Sequence, residues 1–542
     1  METDPVFGSD FFGRDDTLQI LGKRVQAFLK GYRQNIGIVG KKSIGKSSLI
    51  QHFVFNIKEP SLIPIYIKVL AEPFDYFAQK FMGALLAGFL EVYGEKVPVE
   101  FNALIKRTKR LLPRTLKKMR QIKRILAKED GDLAFQEILS LTRLLQEESG
   151  KKVLLALDNF DKLGDLLLKN PFDTFGNAIM MQKDTLYLVS ASRIQKAQSI
   201  FHEKLALLFG NFEILELKSF DFATCQAYLE QHLPGVKIAD GVKKFIVELT
   251  DGHPYFLEII TERIRQLLKE EKEVSLTDHF LARALGIELY KKKGCLHQYF
   301  VMLLHNLGRE RAFQASLKVL LAISLGYKKV HHIASYLHRK RDEVKKILAK
   351  LLEDEVVEKR GSFFIIQLPL FGFWLRHVYY ERELDFIHRD NLSIEAFHQK
   401  VSLLIQARAE EEKKELTKRV EELFRRFQND LVELESKKIM CPHFHEVSFK
   451  PSNGRVFPVE AKAVGTRWVC QVAYKSVTED DVRSFIQDLQ KLRRKVQRKI
   501  IIALQGMELN ATLLAKEAKI MLWSLKDLNS LLHLYDQPKV IV

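Results

Sequence analysis

The chain has 542 residues, 46% hydrophobic and 28% charged, which is the globular range and by length predicts about three or four domains. Its 86 lysines and arginines exceed its 68 acids, a net charge of +18 that favours polyanions, nucleic acid before an anionic membrane surface, or else marks a lysine-rich solvated surface. Cysteines at 225, 295, 441 and 470 are too scattered for a disulfide framework, no apolar run approaches the roughly 18 residues of a membrane span, and the start Met1-Glu-Thr-Asp-Pro5 lacks the regions of a signal peptide, so a soluble cytoplasmic protein is expected.

Residues 11–30 predict a helix, with Leu18, Leu21, Val25 and Phe28 at helical spacing and Phe12-Gly13-Arg14 just ahead of it. Arg14 is placed either to reach adenine-side phosphates or a neighbouring subunit, or simply to sit exposed in a helix-entry turn. The apolar run Ile36–Val39 then leads into Gly40, Lys41, Lys42, Ser43, Ile44, Gly45, Lys46 and Ser47, followed by Ser48 and a helical run. Strand, glycine-bounded loop and helix start stand in the order of a phosphate-binding loop. Two glycines let the backbone curl so that N–H groups face phosphate oxygens, and the helix N-terminus adds partial positive charge. Lys46 is the residue to reach the β- and γ-phosphates, and Ser47 the hydroxyl to ligate Mg²⁺.

Leu62–Val69 reads as a second strand and residues 74–96 as an aromatic-rich helix. An insertion at about 101–130 interleaves eleven cations, from Lys106 to Lys128, with Leu111, Leu112, Leu116, Met119, Ile122, Ile125 and Leu126 at helical spacing. Three readings of it stand: a phosphate-backbone contact, a membrane-surface helix, or a solvated cationic face. The run Lys151–Leu157 ending at Asp158 is a buried parallel strand whose C-terminal end faces the ligand crevice. Asp158 is then placed to hold Mg²⁺ beside Ser47. Asn159 cannot take a proton, so Asp161 is the nearby carboxylate available as a base; otherwise hydrolysis is slow. Thr185–Arg193 is a further strand, its end placing Ser192 and Arg193 beside the phosphates as sensors. Phe212–Leu217 is a last strand. After further helices, Gly252-His253-Pro254 forms a turn that brings His253 or its backbone towards the nucleotide, or is a plain helix start with Pro254 in the first turn.

Phe12-Gly13-Arg14, the phosphate loop, Leu157–Asp161, Val189–Arg193 and Gly252-His253-Pro254, taken in that order, resemble the STAND class of P-loop ATPases. The resemblance is nearest to the archaeal-type ATPases, in which a winged helix and a nuclease-like domain follow the ATPase. It implies ATP and Mg²⁺ as cofactors, a helical lid that closes on ATP-Mg and relaxes on ADP, and nucleotide-dependent homo-oligomerisation. Two positions depart from the family pattern: Asn159 stands where a glutamate is usual, and Thr17 where an acid is usual. Both bear on the speed of hydrolysis more than on binding.

Residues 316–376 predict a winged helix-turn-helix, with helices at Leu317–Ser324, Val330–Leu337 and Arg341–Glu353 and a wing turning at Gly361. The third helix is the one to enter a major groove, with Arg339, Lys340, Arg341, Lys345 and Lys346, and Lys359 and Arg360 of the wing, against phosphates. The other reading makes this module a structural arm. Residues 381–438 predict a charged helical connector. The last hundred residues alternate strands and helices and resemble the restriction-endonuclease-like fold. Its Mg²⁺ motif fits poorly in either of two registers. One takes Glu460-Ala-Lys462 as Glu-x-Lys, with only Glu446 and Ser448 for the Asp partner. The other puts Glu460 in the Asp place and leaves Gln471 and Ala473 for Glu and Lys. A degenerate fold without cleavage is expected. Cys441, His443 and His445 have no companion cluster, so a surface turn is preferred to a zinc site.

The expected architecture is therefore α/β and multidomain: a P-loop NTPase core over 1–220 with parallel sheet, flanking helices and the basic insertion; a helical lid over 221–310; a winged helix over 311–380; a helical connector over 381–438; and the small α/β nuclease-like domain over 439–542. The expected function is an ATP-binding, slowly hydrolysing switch ATPase with ATP/ADP and double-stranded DNA as partners and no membrane. The alternatives are a DNA-binding scaffold that does not turn nucleotide over, or an ATP-regulated nuclease.

Overall fold

The computed structural model describes residues 5–6, 8–192, 199–200, 212–308, 310–383, 390–434, 437–450, 457–490 and 496–541. The chain divides into two compact units. The first runs up to Phe220 and includes His253–Tyr255; the second holds Asp221–Gly252 and everything from Phe256 onward.

In the first unit, β1 (Asn35–Val39), β2 (Leu62–Lys68), β3 (Lys152–Asp158), β4 (Thr185–Ala191) and β5 (Phe212–Glu216) form one sheet in the order β2-β3-β4-β1-β5. Every pairing is parallel. The strands are near-continuous apolar runs because both faces are covered, so polarity cannot alternate along them. Side chains nevertheless divide by the pleat. Leu154, Ala156, Leu186 and Leu188 pack with Leu21, Val25 and Phe28 of α1 (Asp15–Leu29) and Leu49, Ile50 and Val54 of α2 (Lys46–Asn56). Val153, Leu155, Leu157, Tyr187 and Val189 pack on the other face, with Phe77, Phe81 and Leu85 of α3 (Phe74–Val92).

The basic insertion is two helices, α4 (Phe101–Thr108) and α5 (Pro113–Leu126), the second opened by Pro113 in its first turn. Two more, α6 (Gly131–Leu139) and α7 (Leu141–Ser149), lead to β3, and α8 (Pro171–Met181) joins β3 to β4. Leu112, Leu116, Met119 and Ile122 lie in the core of the unit. The apolar face expected as a membrane-surface candidate is thus already used in packing. Leu111 departs from that face and is exposed. Lys106, Lys109, Arg110, Lys117 and Arg124 remain on the surface, while Arg114 pairs with Glu147 and Lys118 with Glu137.

In the second unit, a two-residue parallel pair, β6 (Lys237–Ile238) and β7 (Ser275–Leu276), ties a helical region together. Helices Glu310–Ser324, Val330–Tyr336 and Arg341–Glu353 are followed by an antiparallel hairpin, β8 (Val357–Arg360) and β9 (Phe363–Ile366). Val344, Leu348 and Leu351 are buried, whereas Arg339, Lys340, Arg341, Lys345 and Lys346 are exposed. The hairpin is not free. Ser362 N donates to Leu431 O at 2.7 Å, Arg360 Nη1 to Ser530 Oγ at 3.0 Å, and Phe363 meets Tyr535 edge-on. Arg360, expected against phosphate, is held by Glu358 and Ser530 instead.

Helices Asp390–Lys413 and Leu416–Arg425 occupy the expected connector, but it does not stay helical to residue 438. Asn429 turns the chain at φ 56°, and β10 (Asp430–Leu434) pairs antiparallel with β11 (Lys437–Cys441), burying Asp430, Val432 and Leu434 in alternation. A five-stranded sheet then follows, in sequential order: β12 (Glu446–Lys450), β13 (Phe457–Ala463), β14 (Thr466–Ala473), β15 (Arg498–Ala503) and β16 (Ile520–Ser524). Its first two pairings are antiparallel and its last two parallel.

Candidate functional site

The parallel sheet of the first unit presents the ends of β1, β3 and β4 along one edge, and the loop from Gly40 to Gly45 joins β1 to α2 there. Each glycine has its own reason. A Cβ on Gly40 would stand 2.7 Å from the carbonyl oxygen of Leu217, whose N–H closes on Val39 O at 2.7 Å. Gly45 caps α2 at φ 97°, a left-handed conformation that costs a side chain energy. Ser43 also turns left-handed at φ 59°, and Ile44 is pinned in the apolar core, so the loop is fixed from below. Lys46 is only 4% exposed; its Nζ donates to Gly40 O at 2.9 Å and Lys41 O at 2.8 Å. An ammonium so placed lies inside the curl of its own loop. Ser47 and Ser48 follow in the first turn of α2, and Ser48 Oγ accepts from Val6 N at 3.1 Å. Phe11 stacks on His52 of the same helix, with centroids 4.1 Å apart.

Two residues distant in sequence hold the loop by its carbonyls. Arg14, left-handed at φ 74°, donates to Ile44 O at 3.2 Å and Lys218 O at 2.6 Å, with its guanidinium 4.5 Å over the Phe220 ring. It braces the phosphate loop to the chain leaving β5 rather than extending outward. His253, 1% exposed, has Nε2 3.0 Å from Lys42 O. Pro254 begins the following helix, Pro254–Glu271.

Asp158 ends β3 with no exposed surface, and both carboxylate oxygens accept hydroxyl protons: Oδ2 from Tyr66 at 2.8 Å, Oδ1 from Ser190. Ser190 Oγ in turn accepts from Asn159 N at 2.9 Å. The sheet order explains the trio. β3 lies between β2, which carries Tyr66, and β4, which carries Ser190 one rung past the Leu157–Val189 pair. Tyr66 did not stand out in the sequence, where it reads as a strand aromatic, and Ser190 reads there as one of the polar groups that end its strand beside the phosphates, with no link to Asp158. The parallel register of β3 and β4 is the signal that finds Ser190. Ser192 follows the end of β4; Arg193 lies outside the described residues.

Asn159 adopts φ 58°, ψ 42°, a left-handed conformation that asparagine tolerates better than glutamate. Asp161 lies in the short helix Phe160–Asp165, 6% exposed, and its Oδ1 has no hydrogen-bond partner among the described residues. Phe160 beside it packs on Phe175 at 4.8 Å, which fixes the backbone that carries this carboxylate.

A phosphate-binding loop acting with a metal needs hard oxygen donors, and Ser47 and Asp158 supply a hydroxyl and a carboxylate. The two hydroxyl bonds leave Asp158 further lone pairs for a metal or its waters. The residues present therefore fit Mg²⁺.

The second unit offers a weaker constellation. Glu460 on β13 is bound by Arg467 at 2.7 Å, with Lys462 at 3.7 Å, and Lys462 reaches Glu446 at 2.9 Å. Gln471 and Ala473 stand on the neighbouring β14. Cys441 is buried in the core and His443 faces the Phe427 carbonyl. Among the described residues no group of three or more His, Cys, Asp or Glu is arranged to hold a metal. No described helix is long and apolar enough to cross a membrane.

No family profile and no curated protein matches the chain. Among solved structures it is similar to the Walker-type ATPase paby2304 of Pyrococcus abyssi, with 17% identity and a TM-score of 0.44 over 69% of this chain and 98% of that one. It is also similar to the ORC2 protein of Aeropyrum pernix in ADPNP–ADP complexes, with 12% identity and a TM-score of 0.43 over 75% and 98%. A third is the RuvB Holliday junction branch migration motor of Thermotoga maritima, with 14% identity and a TM-score of 0.35 over 67% and 94%.

Proposed function

We propose that the chain is a P-loop ATPase of the STAND, archaeal type that binds ATP-Mg²⁺, hydrolyses it slowly and acts on or near double-stranded DNA as a nucleotide switch. The observation that carries this reading is the hold of His253 on Lys42 O, 211 residues away in sequence. A phosphate loop gripped by the residue that opens a long helix hands any change in the loop to that helix. In this reading the loop N–H groups and Lys46 take the phosphates, Ser47 and Asp158 hold Mg²⁺, and Asp161 is the base. When bound, the metal would supply neutralisation of the phosphate charge. Tyr66 and Ser190 orient Asp158, and Arg14 keeps the loop closed.

Domains in this reading are the core over 1–220, a lid over 221–310, a winged helix over 311–380, a connector over 381–438 and a degenerate nuclease-like domain over 439–542. The exposed cations Arg341, Lys345 and Lys346 support DNA contact by the winged helix, and the ion pair of Glu460 with Arg467 supports loss of cleavage. Oligomerisation with ATP belongs to the same proposal.

A second reading, a DNA-binding scaffold with a nucleotide that is held but not turned over, is favoured by Asn159 at the position where a glutamate is usual. Titration of ATP-Mg²⁺ into wild type and Lys46→Ala tests the first requirement: binding is expected to vanish in the variant, and wild-type affinity there overturns the assignment. Steady-state ATPase with and without duplex DNA separates switch from scaffold, since the scaffold shows no turnover in either condition.

A further inference from the structure

The second unit contains a cleft of about 1190 Å³ between helix Asp278–Leu285 with its following turn and helix Asp390–Lys413. Among the described residues its lining carries five cations, Arg283, Lys291, Lys292, Lys293 and Arg382, against one acid, Glu395. The charges are not consumed by the fold. The three lysines are exposed and form no ion pair among the described residues. They stand on a defined turn, with Lys291 N bonded to Gly286 O at 3.0 Å and Gly294 N to Lys291 O at 2.9 Å. The Arg382 guanidinium lies 4.2 Å over the buried Tyr290 ring. A guanidinium stacked this way keeps its N–H edge for an anion. Arg283 is partly engaged, by Glu271. The positive field is felt inside the wall as well. Burial, then His279 and Arg283, push the pKa of His398 down, opposed only by Glu395.

A run of cations along an open cleft suits a ligand with regularly spaced negative charges rather than one small anion. Positively charged grooves that track one backbone are how single strands are held without sequence preference. We propose that this cleft binds the phosphodiester backbone of single-stranded nucleic acid. Arg382 and Lys291–Lys293 grip successive phosphates, without reading bases. The proposal rests on the nucleic-acid half of the function above and names a surface for it distinct from the helix Arg341–Glu353.

The test is fluorescence anisotropy of a labelled oligo-dT strand across a salt series. It compares the full chain with a variant carrying Lys291→Ala, Lys292→Ala and Lys293→Ala, and with a second carrying Lys345→Ala and Lys346→Ala. Wild type is expected to bind. The triple variant is expected to bind about tenfold more weakly at low salt, with a log–log salt slope shallower by about 2, the counterion release of three contacts to a single strand. The double variant is expected to behave as wild type towards oligo-dT. An unchanged affinity and slope in the triple variant overturns the proposal, as does displacement of oligo-dT by poly-glutamate at equal charge concentration, which would assign the cleft to an acidic polypeptide. Binding of duplex but not of oligo-dT by wild type overturns the cleft proposal and leaves the DNA reading standing. Binding of neither overturns both.

Discussion

Tyr66 donates its hydroxyl to Asp158 across 2.8 Å, from a strand adjacent to the one the aspartate ends. The bond fixes one carboxylate oxygen while Ser190 fixes the other. Groups that orient a metal-binding carboxylate in this way are worth about 10–100-fold in metal affinity. Tyr66→Phe is therefore expected to leave metal-free ATP affinity unchanged and to lower the enhancement by Mg²⁺ by about tenfold or more. Isothermal titration with and without Mg²⁺ checks this; an equal loss in both conditions would mean the tyrosine serves the sheet rather than the metal.

Arg14 and Ile44 define a second relationship, a charged donor on a loop carbonyl. Hydrogen bonds from charged groups contribute about 1.5–3 kcal/mol, here divided between Ile44 and Lys218. Arg14→Ala is expected to weaken ATP binding by about tenfold or more. Arg14→Lys is expected to restore little, because the two bonds leave from different guanidinium nitrogens, Nη1 and Nη2, with the group over Phe220, a planar fork that an ammonium does not present. If alanine and lysine variants bind ATP as wild type does, the brace is incidental.

What the sequence made legible was the part set by local pattern. The apolar runs at Ile36–Val39 and Val153–Leu157 read as buried strands because both sheet faces are covered, and strands stand there. The strand–loop–helix order around Gly40–Ser47 was equally plain. What stayed hidden depends on which strands become neighbours. Tyr66 and Ser190 meet Asp158 only because β3 is flanked by β2 and β4, an order no spacing in the chain encodes. The strand at Asp430 was masked by the charged helices before it, and the hairpin cation Arg360 looked free until its partner Ser530, 170 residues on, was in view.

Asn159 occupies a left-handed turn, so its identity has a backbone reason apart from catalysis. Asn159→Glu, which installs the usual carboxylate, is expected to cost about 1–2 kcal/mol of stability. In the function proposed above the base role falls instead to Asp161, which is buried and whose Oδ1 has no partner among the described residues. Asp161→Asn is expected to lower kcat by about 100-fold or more with KM for ATP nearly unchanged. A kcat within twofold of wild type would remove Asp161 from the chemistry and favour the scaffold reading.

His377 supplies a pH test in the second unit, where it is buried on the turn Leu375–Tyr379 against Phe373. Burial lowers its pKa. Glu381 stands 3.8 Å from Nδ1 and pulls the other way, but that carboxylate is paired with Lys400, and Lys400 and Arg376 add to the lowering. The folded state thus disfavours the imidazolium that the unfolded chain accepts near pH 6.5. Above that pH both states are neutral and the contribution to stability is complete. Below it the unfolded chain binds a proton that the folded chain refuses, so stability falls as pH drops from about 6.5 towards the depressed folded value, at up to about 1.4 kcal/mol per pH unit. His377→Gln has nothing to titrate. Its urea midpoint is expected to fall less steeply than that of wild type between pH 7 and 5, other histidines contributing equally to both; parallel profiles would show that His377 takes up its proton in the fold as readily as outside it.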